Sequence, residues 1–211
     1  TEAALKAWQE SEREYKSGSD ETGVLGSQIN QAQALQSLGL YRRSQLLLEQ
    51  IQQKLETQPD SQMKATGLRS LGVTLQVVGD LQKSEQVLQE SLAIAQKLNL
   101  PTETNAAIFS LGNTARASNK IESAIALYQQ SATNSKDNLS RLEAQLNQLR
   151  LLITIQKWQQ ANALIPEINQ DLVDLPPSRE AIYAKVNLAE SLMQLEGKAS
   201  RRGAEKTGTT A

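Results

Sequence analysis

Gly39, Gly79 and Asn119 stand 40 residues apart in turn, and Gly72 and Gly112 keep the same step. A period of this length marks an array of one repeated supersecondary unit, because no single copy can bury its own apolar face and each must stack on its neighbours. An array offers an extended surface rather than one deep pocket. Function is therefore expected in what that surface binds, and the period leaves the partner open.

Each unit reads as a pair of helices. Ala, Leu, Gln, Glu and Lys dominate, and five prolines and eleven glycines punctuate the chain. Apolar residues recur at helical spacing, as in Leu68, Leu71 and Leu75 or Ile121, Ile125 and Tyr128. Turn signals break the pattern at Gly39, at Pro59–Asp60, at Gly79–Asp80, at Pro101, at Asn119 and at Pro176–Pro177. These breaks are too frequent for a long coiled coil. They predict ten helices, at 2–17, 20–38, 40–57, 61–78, 80–98, 102–117, 120–135, 138–156, 158–173 and 178–195. Gly39 and Gly79 suit left-handed helix ends, and Asp60, Asp80, Asp137 and Ser178 suit N-caps. From 197 to 211 the chain turns to Gly, Ala, Ser, Thr, Lys and Arg, which predicts a flexible basic tail or an expression remnant. The opening at Thr1 rather than Met reads as processing or, preferably, excision from something longer.

Composition removes several function classes. There is no cysteine and no histidine, which excludes disulfides, thiolate nucleophiles, Ser-His-Asp chemistry and the common zinc sites. Gly67 and Gly72 have phosphate-loop spacing, but Val73–Thr74 follows where Lys–Ser/Thr is needed. No carboxylate pair supports acid–base catalysis, and no cofactor is implied. A net charge of −1 argues against a nucleic-acid partner. No apolar run approaches the roughly 20 residues of a membrane span. Trp8 and Trp158 read as packing anchors.

Matched positions carry one chemical pattern. Leu71–Gly72 and Leu111–Gly112 pair a large and a very small residue in the first helix. Tyr41, Leu81, Ile121 and Trp158 open the second helix; Ser44, Ser84, Ala124 and Ala161 follow three residues on; Leu48, Leu88, Tyr128 and Ile165 come four later. This resembles the tetratricopeptide repeat, with Leu111–Gly112, Ile121, Ala124 and Tyr128 as the best match. The resemblance covers 20–195: pairs at 20–57, 61–98, 102–135 and 138–173, then a fifth first helix at 178–195 with Leu188–Ala189 in the large–small slot. Residues 2–17, with Leu5, Trp8 and Tyr15, look like the second helix of a truncated preceding unit, so 1–196 forms one array. The period exceeds the usual 34, and the first and fourth units carry Ala32 and Leu149 in place of glycine. The longer period resembles the extended repeats ahead of CHAT protease-like domains in filamentous bacteria, especially cyanobacteria.

The resemblance implies an all-α, right-handed solenoid of antiparallel helix hairpins whose first helices line a concave groove. It places Asn30, Gln33 and Gln36, Arg69 and Gln76, Phe109, Asn113 and Arg116, Asn147 and Arg150, and Asn187 and Glu190 on that groove. Asn amides can bond a peptide backbone in both directions, and Arg forks suit carboxylates. The expected activity is a non-catalytic scaffold binding a peptide or protein segment with acidic groups. Two alternatives stay open: a regulatory region excised from a larger CHAT-type protease, or an architectural, self-associating module.

Overall fold

The computed structural model describes the backbone of residues 1–207. Among the described residues every regular element is a helix: α1 Glu2–Ser17, α2 Glu21–Ser37, α3 Tyr41–Glu56, α4 Gln62–Val78, α5 Leu81–Lys97, α6 Pro101–Ala117, α7 Ile121–Asn134, α8 Asn138–Thr154, α9 Trp158–Val173 and α10 Arg179–Thr207. The expected boundaries hold to within two residues, except at the end of α10. That helix runs past 195, through Gly197, to Thr207. Its Lys, Ala, Arg and Glu residues favour helix strongly enough to carry it through two glycines, each costing about 1 kcal/mol. Residues 208–211 lie outside the described residues.

The 40-residue step has a backbone meaning. Gly39, Gly79, Asn119 and Gln156 all adopt positive φ, at 74°, 93°, 58° and 62°. Each follows a first helix of a pair. The next amide in every case reaches back to a carbonyl five residues earlier: Leu40 to Leu35, Asp80 to Leu75, Lys120 to Ala115 and Lys157 to Leu152, each at 2.9 Å. This left-handed closure satisfies carbonyls at the helix end and turns the chain sharply into the second helix. Glycine meets the conformation without strain, and Asn is among the side chains that tolerate it best.

Starts are capped by short polar side chains. Asp20, Asp80 and Asp137 accept from the amides of Gly23, Lys83 and Ser140 at 2.9, 3.3 and 2.8 Å, and Ser178 accepts from Ala181 at 3.1 Å. Asp60 does not cap α4. Ser61 takes that place, accepting from Lys64 at 3.2 Å, while Asp60 pairs with Lys97 at 2.6 Å. A strong cation nearby outcompetes a backbone amide when the adjacent serine already satisfies the helix end.

The chain divides into two compact units, Thr1–Lys120 and Ile121–Ala211. In the first, α1 to α6 pack in sequence order, and the first helices α2, α4 and α6 also lie against one another. Its core includes Leu25, Ile29, Leu48, Ile51, Leu55, Leu68, Leu71 and Leu75. The large–small pair sets the approach of the helices: a Cβ placed on Gly72 would come within 2.5 Å of Leu88 Cγ. The small residue of the second helix does more than make room. Ser84 donates its hydroxyl to the Gly72 carbonyl at 2.8 Å, and Ser44 donates to the Ala32 carbonyl at 2.9 Å. The hydroxyls of Ser84 and Thr114 then lie 3.0 Å apart, tying this pair to the next first helix.

In the second unit α8 packs between α7 and α9 and also against α10. Leu142, Leu149 and Leu152 of α8 are fully buried, and Arg141 pairs with Asp171 of α9 at 2.8 Å. Tyr128, the aromatic of the repeat pattern, is fully buried. Trp158 is half-buried, whereas Trp8 on α1 remains 38% exposed.

Candidate interaction surface

The first helices of the pairs carry the candidate residues, and their register decides which of them face outward. In the first unit Asn30, Gln33, Arg69, Gln76, Phe109 and Asn113 are half-buried and Arg116 is exposed. In the second unit Asn147 and Asn187 are half-buried and Arg150 is exposed.

Some of these side chains are used between repeats. Gln33 donates its amide to the Ser70 hydroxyl at 3.2 Å, and Gln36 donates to the Ser70 carbonyl at 2.9 Å. Arg150 donates to the Asn187 side-chain oxygen at 3.3 Å. The two links from Gln33 and Arg150 are the same contact in different repeats, since both span 37 residues. Each joins one first helix to the next. Asn147 is committed to its own helix, donating to the Glu143 carbonyl at 2.9 Å.

By the repeat register, Asn30, Asn147 and Asn187 occupy the position of Ser70 and Ser110. Both serines are buried. That position lies between neighbouring first helices, one residue along from the register of Arg69. The enrichment in Asn therefore has a structural component that sequence alone did not separate from an open face.

The remaining candidates, Arg69, Gln76, Phe109, Asn113 and Arg116, gather on α4 and α6, which pack against each other. Arg69 is the electrostatically distinctive member. Burial pushes its guanidinium pKa down, and the Glu103 carboxylate opposes that shift. Glu103 also accepts a hydrogen bond from the Gln62 amide. A guanidinium stripped of part of its water, and still fully charged at neutral pH, attracts a further carboxylate more strongly than a solvated one does.

On the second unit a carboxylate is the perturbed group. The Glu143 carboxyl is pushed above the usual range, first by loss of solvation and then by repulsion from Asp137 and Glu180. Among the described residues no group of three or more Asp or Glu side chains is placed to hold a metal ion. No described helix is long and apolar enough to cross a membrane.

Comparison with known proteins agrees with this architecture. Residues 63–137 match the tetratricopeptide repeat family. A Podosopora anserina protein, described as a putative kinesin light chain with nearly identical TPR-like repeats, superposes with a TM-score of 0.69 at 19% identity. The match covers 89% of this chain and 97% of that one. BtubC (BKLC) from P. vanneervenii gives a TM-score of 0.72 at 14% identity, covering 100% of this chain and 93% of that one. No curated protein sequence matches. At these identities the structures speak for the fold alone, and neither comparison bears on the CHAT resemblance. The chain has an all-α, tetratricopeptide-like repeat fold, and its central stretch, residues 63–137, matches the repeat family itself.

Proposed function

We propose that the chain is a non-catalytic interaction scaffold whose polar surface on α4 and α6 docks an extended protein segment carrying acidic side chains. Tetratricopeptide repeats generally mediate protein–protein interactions. The observation that carries the finer reading is Arg69, a partly desolvated guanidinium opposed by Glu103, on the same pair of helices as the exposed Arg116. A partner carboxylate takes over the fork of Arg69 in competition with Glu103. Arg116 supplies a second, solvated cation, and the amides of Gln76 and Asn113 suit peptide carbonyls and amides. Phe109 offers an aromatic surface beside them.

Fluorescence polarisation with labelled Asp/Glu-rich peptides tests the reading. Arg69→Ala with Arg116→Glu should weaken binding by about 100-fold, corresponding to loss of two charge-assisted contacts of roughly 1.5 kcal/mol each. Binding should also weaken with added salt. Equal affinity in the double variant would overturn the assignment of the surface.

A further inference from the structure

The fourth helix pair repeats a carboxylate-holding arrangement of the first pair, but without the carboxylate. Gln28 and Gln31, one turn apart on α2, both donate their side-chain amides to Glu12 on α1, at 2.7 and 2.6 Å. Lys16 lies 2.7 Å from the same carboxylate. Steps of 40, 40 and 37 residues carry Gln28 through Leu68 and Ile108 to Gln145. The same steps carry Gln31 through Leu71 and Leu111 to Gln148. The second and third pairs thus fill both positions with buried aliphatic side chains, and α8 returns to glutamines. Glu12, carried forward by steps of 40 along α3, α5 and α7, becomes Gln52, Leu92 and then Ala132. A methyl group stands where the acidic side chain begins in the first case.

A cavity of about 670 Å³ lies at this place, lined by Ala132, Gln145 and Gln148 among residues of α7, α8 and α9. All three helices belong to the second compact unit. The volume falls among those of ligand sites, about 300–1,000 Å³. Gln145 is 4% exposed, and its side-chain oxygen is buried without a hydrogen-bond partner. A buried amide left short of partners is costly, and α4 and α6 avoid that cost with Leu68 and Ile108. The terminal torsion of glutamine is broad, so Gln145 can turn its nitrogen to the cavity as Gln28 turns its own to Glu12. Arg141 lines the same cavity but is paired with Asp171 at 2.8 Å, and Glu167 on α9 offsets its charge further. The amides, rather than a net field, therefore set what the cavity prefers.

We propose that this cavity receives the carboxylate of a glutamate side chain from a partner protein segment, held by the amides of Gln145 and Gln148. The partner supplies from outside what Glu12 supplies to Gln28 and Gln31 from within the chain. The site uses other helices than the Arg69 surface and holds its carboxylate by amides instead of a guanidinium.

Nuclear magnetic resonance of the side-chain amides in the ¹⁵N-labelled 211-residue chain tests this, with N-acetyl-glutamate methylamide as the probe. The Gln145 and Gln148 signals should shift and saturate with a Kd of about 1 mM, as expected for so small a ligand. N-acetyl-glutamine methylamide, its uncharged isostere, should bind at least about tenfold more weakly. Two variants remove the site in opposite ways. Gln145→Leu/Gln148→Leu installs the residues of α4 and should abolish the shifts at neighbouring cavity residues. Ala132→Glu rebuilds the Glu12 arrangement inside the chain and should exclude the probe while the glutamines remain. Circular dichroism checks that each is folded; should Ala132→Glu not fold, the double variant decides alone. No shift up to about 10 mM probe, meaning hydration only, overturns the proposal. So do equal affinity for the glutamine analogue and undiminished binding in a folded variant. Tighter binding of N-acetyl-alanyl-alanine, whose carboxylate is a chain end, overturns the choice of a glutamate side chain. Failure of acidic peptides to bind through Arg69 and Arg116 would leave these shifts unaffected, so the two sites are tested separately.

Discussion

Replacing Gly72 by alanine sets two effects against each other, and the structure decides between them. Alanine is the better helix former by about 1 kcal/mol. Yet the added Cβ would sit 2.5 Å from Leu88 Cγ and 2.7 Å from Cδ2, where carbon atoms pack at about 3.5–4.0 Å. Leu88 is fully buried, and the nearest contact falls on its branch carbon rather than on the end of a flexible side chain. The helices α4 and α5 must separate by roughly 1 Å, at an overpacking cost of about 1–3 kcal/mol. The net expectation is a loss of up to about 2 kcal/mol, or up to roughly 8 °C in Tm for a chain of this size, in place of the gain of about 1 kcal/mol that helix preference alone would give.

Gly26 is the control. A Cβ there would meet only Met63 Cε, at 3.7 Å, an ordinary van der Waals contact. Gly26→Ala should therefore leave stability unchanged or raise it by up to about 1 kcal/mol. Thermal and urea unfolding followed by circular dichroism read both. In the background of Leu88→Ala the penalty of Gly72→Ala should shrink by more than about 0.5 kcal/mol, as expected for residues in contact. If Gly72→Ala is more stable than the parent by about 1 kcal/mol, as helix preference alone would give, or if its penalty persists without Leu88, the account of the large–small pair is wrong.

Two further expectations concern the helix starts and the acid limb of stability. Asp80→Ala removes the cap of α5 and should cost about 1 kcal/mol in urea unfolding, whereas Asp60→Ala, which removes no cap, should cost less. Burial raises the Glu12 carboxyl, but hydrogen bonds from Lys16, Gln31 and Gln28 outweigh it and leave the folded pKa below the ordinary value. Its contribution is therefore complete above the unfolded-state pKa and is lost as pH falls through the folded one. The stability gap between the parent and Glu12→Gln should be largest near neutral pH and close in acid; a gap independent of pH would contradict this network.

Much of the scaffold was legible because packing and turn chemistry repeat. Gly39, Gly79 and Asn119 carry the period since each must adopt the left-handed conformation, and Leu71–Gly72 and Leu111–Gly112 carry it since two helices approach there. Less was legible where one pattern serves two roles. Gln33 and Arg150 look like groove residues by polarity, but each reaches the next first helix, and only the coordinates reveal the partners Ser70 and Asn187. Asp60 and Ser61 are adjacent capping residues, and Lys97, 37 residues away, draws Asp60 off. The end of α10 was missed because glycine at 197 reads as a stop, although helix-forming neighbours carry the chain through it.

The most direct test of the central claim is a titration of acidic peptides against the parent chain, Arg69→Ala/Arg116→Glu and Arg150→Ala, with affinity followed by polarisation at two salt concentrations. The account predicts salt-sensitive binding that falls about 100-fold in the first variant. It also predicts little change in Arg150→Ala, whose guanidinium already bonds Asn187. Loss of binding in Arg150→Ala with none in the α4–α6 variant would contradict it.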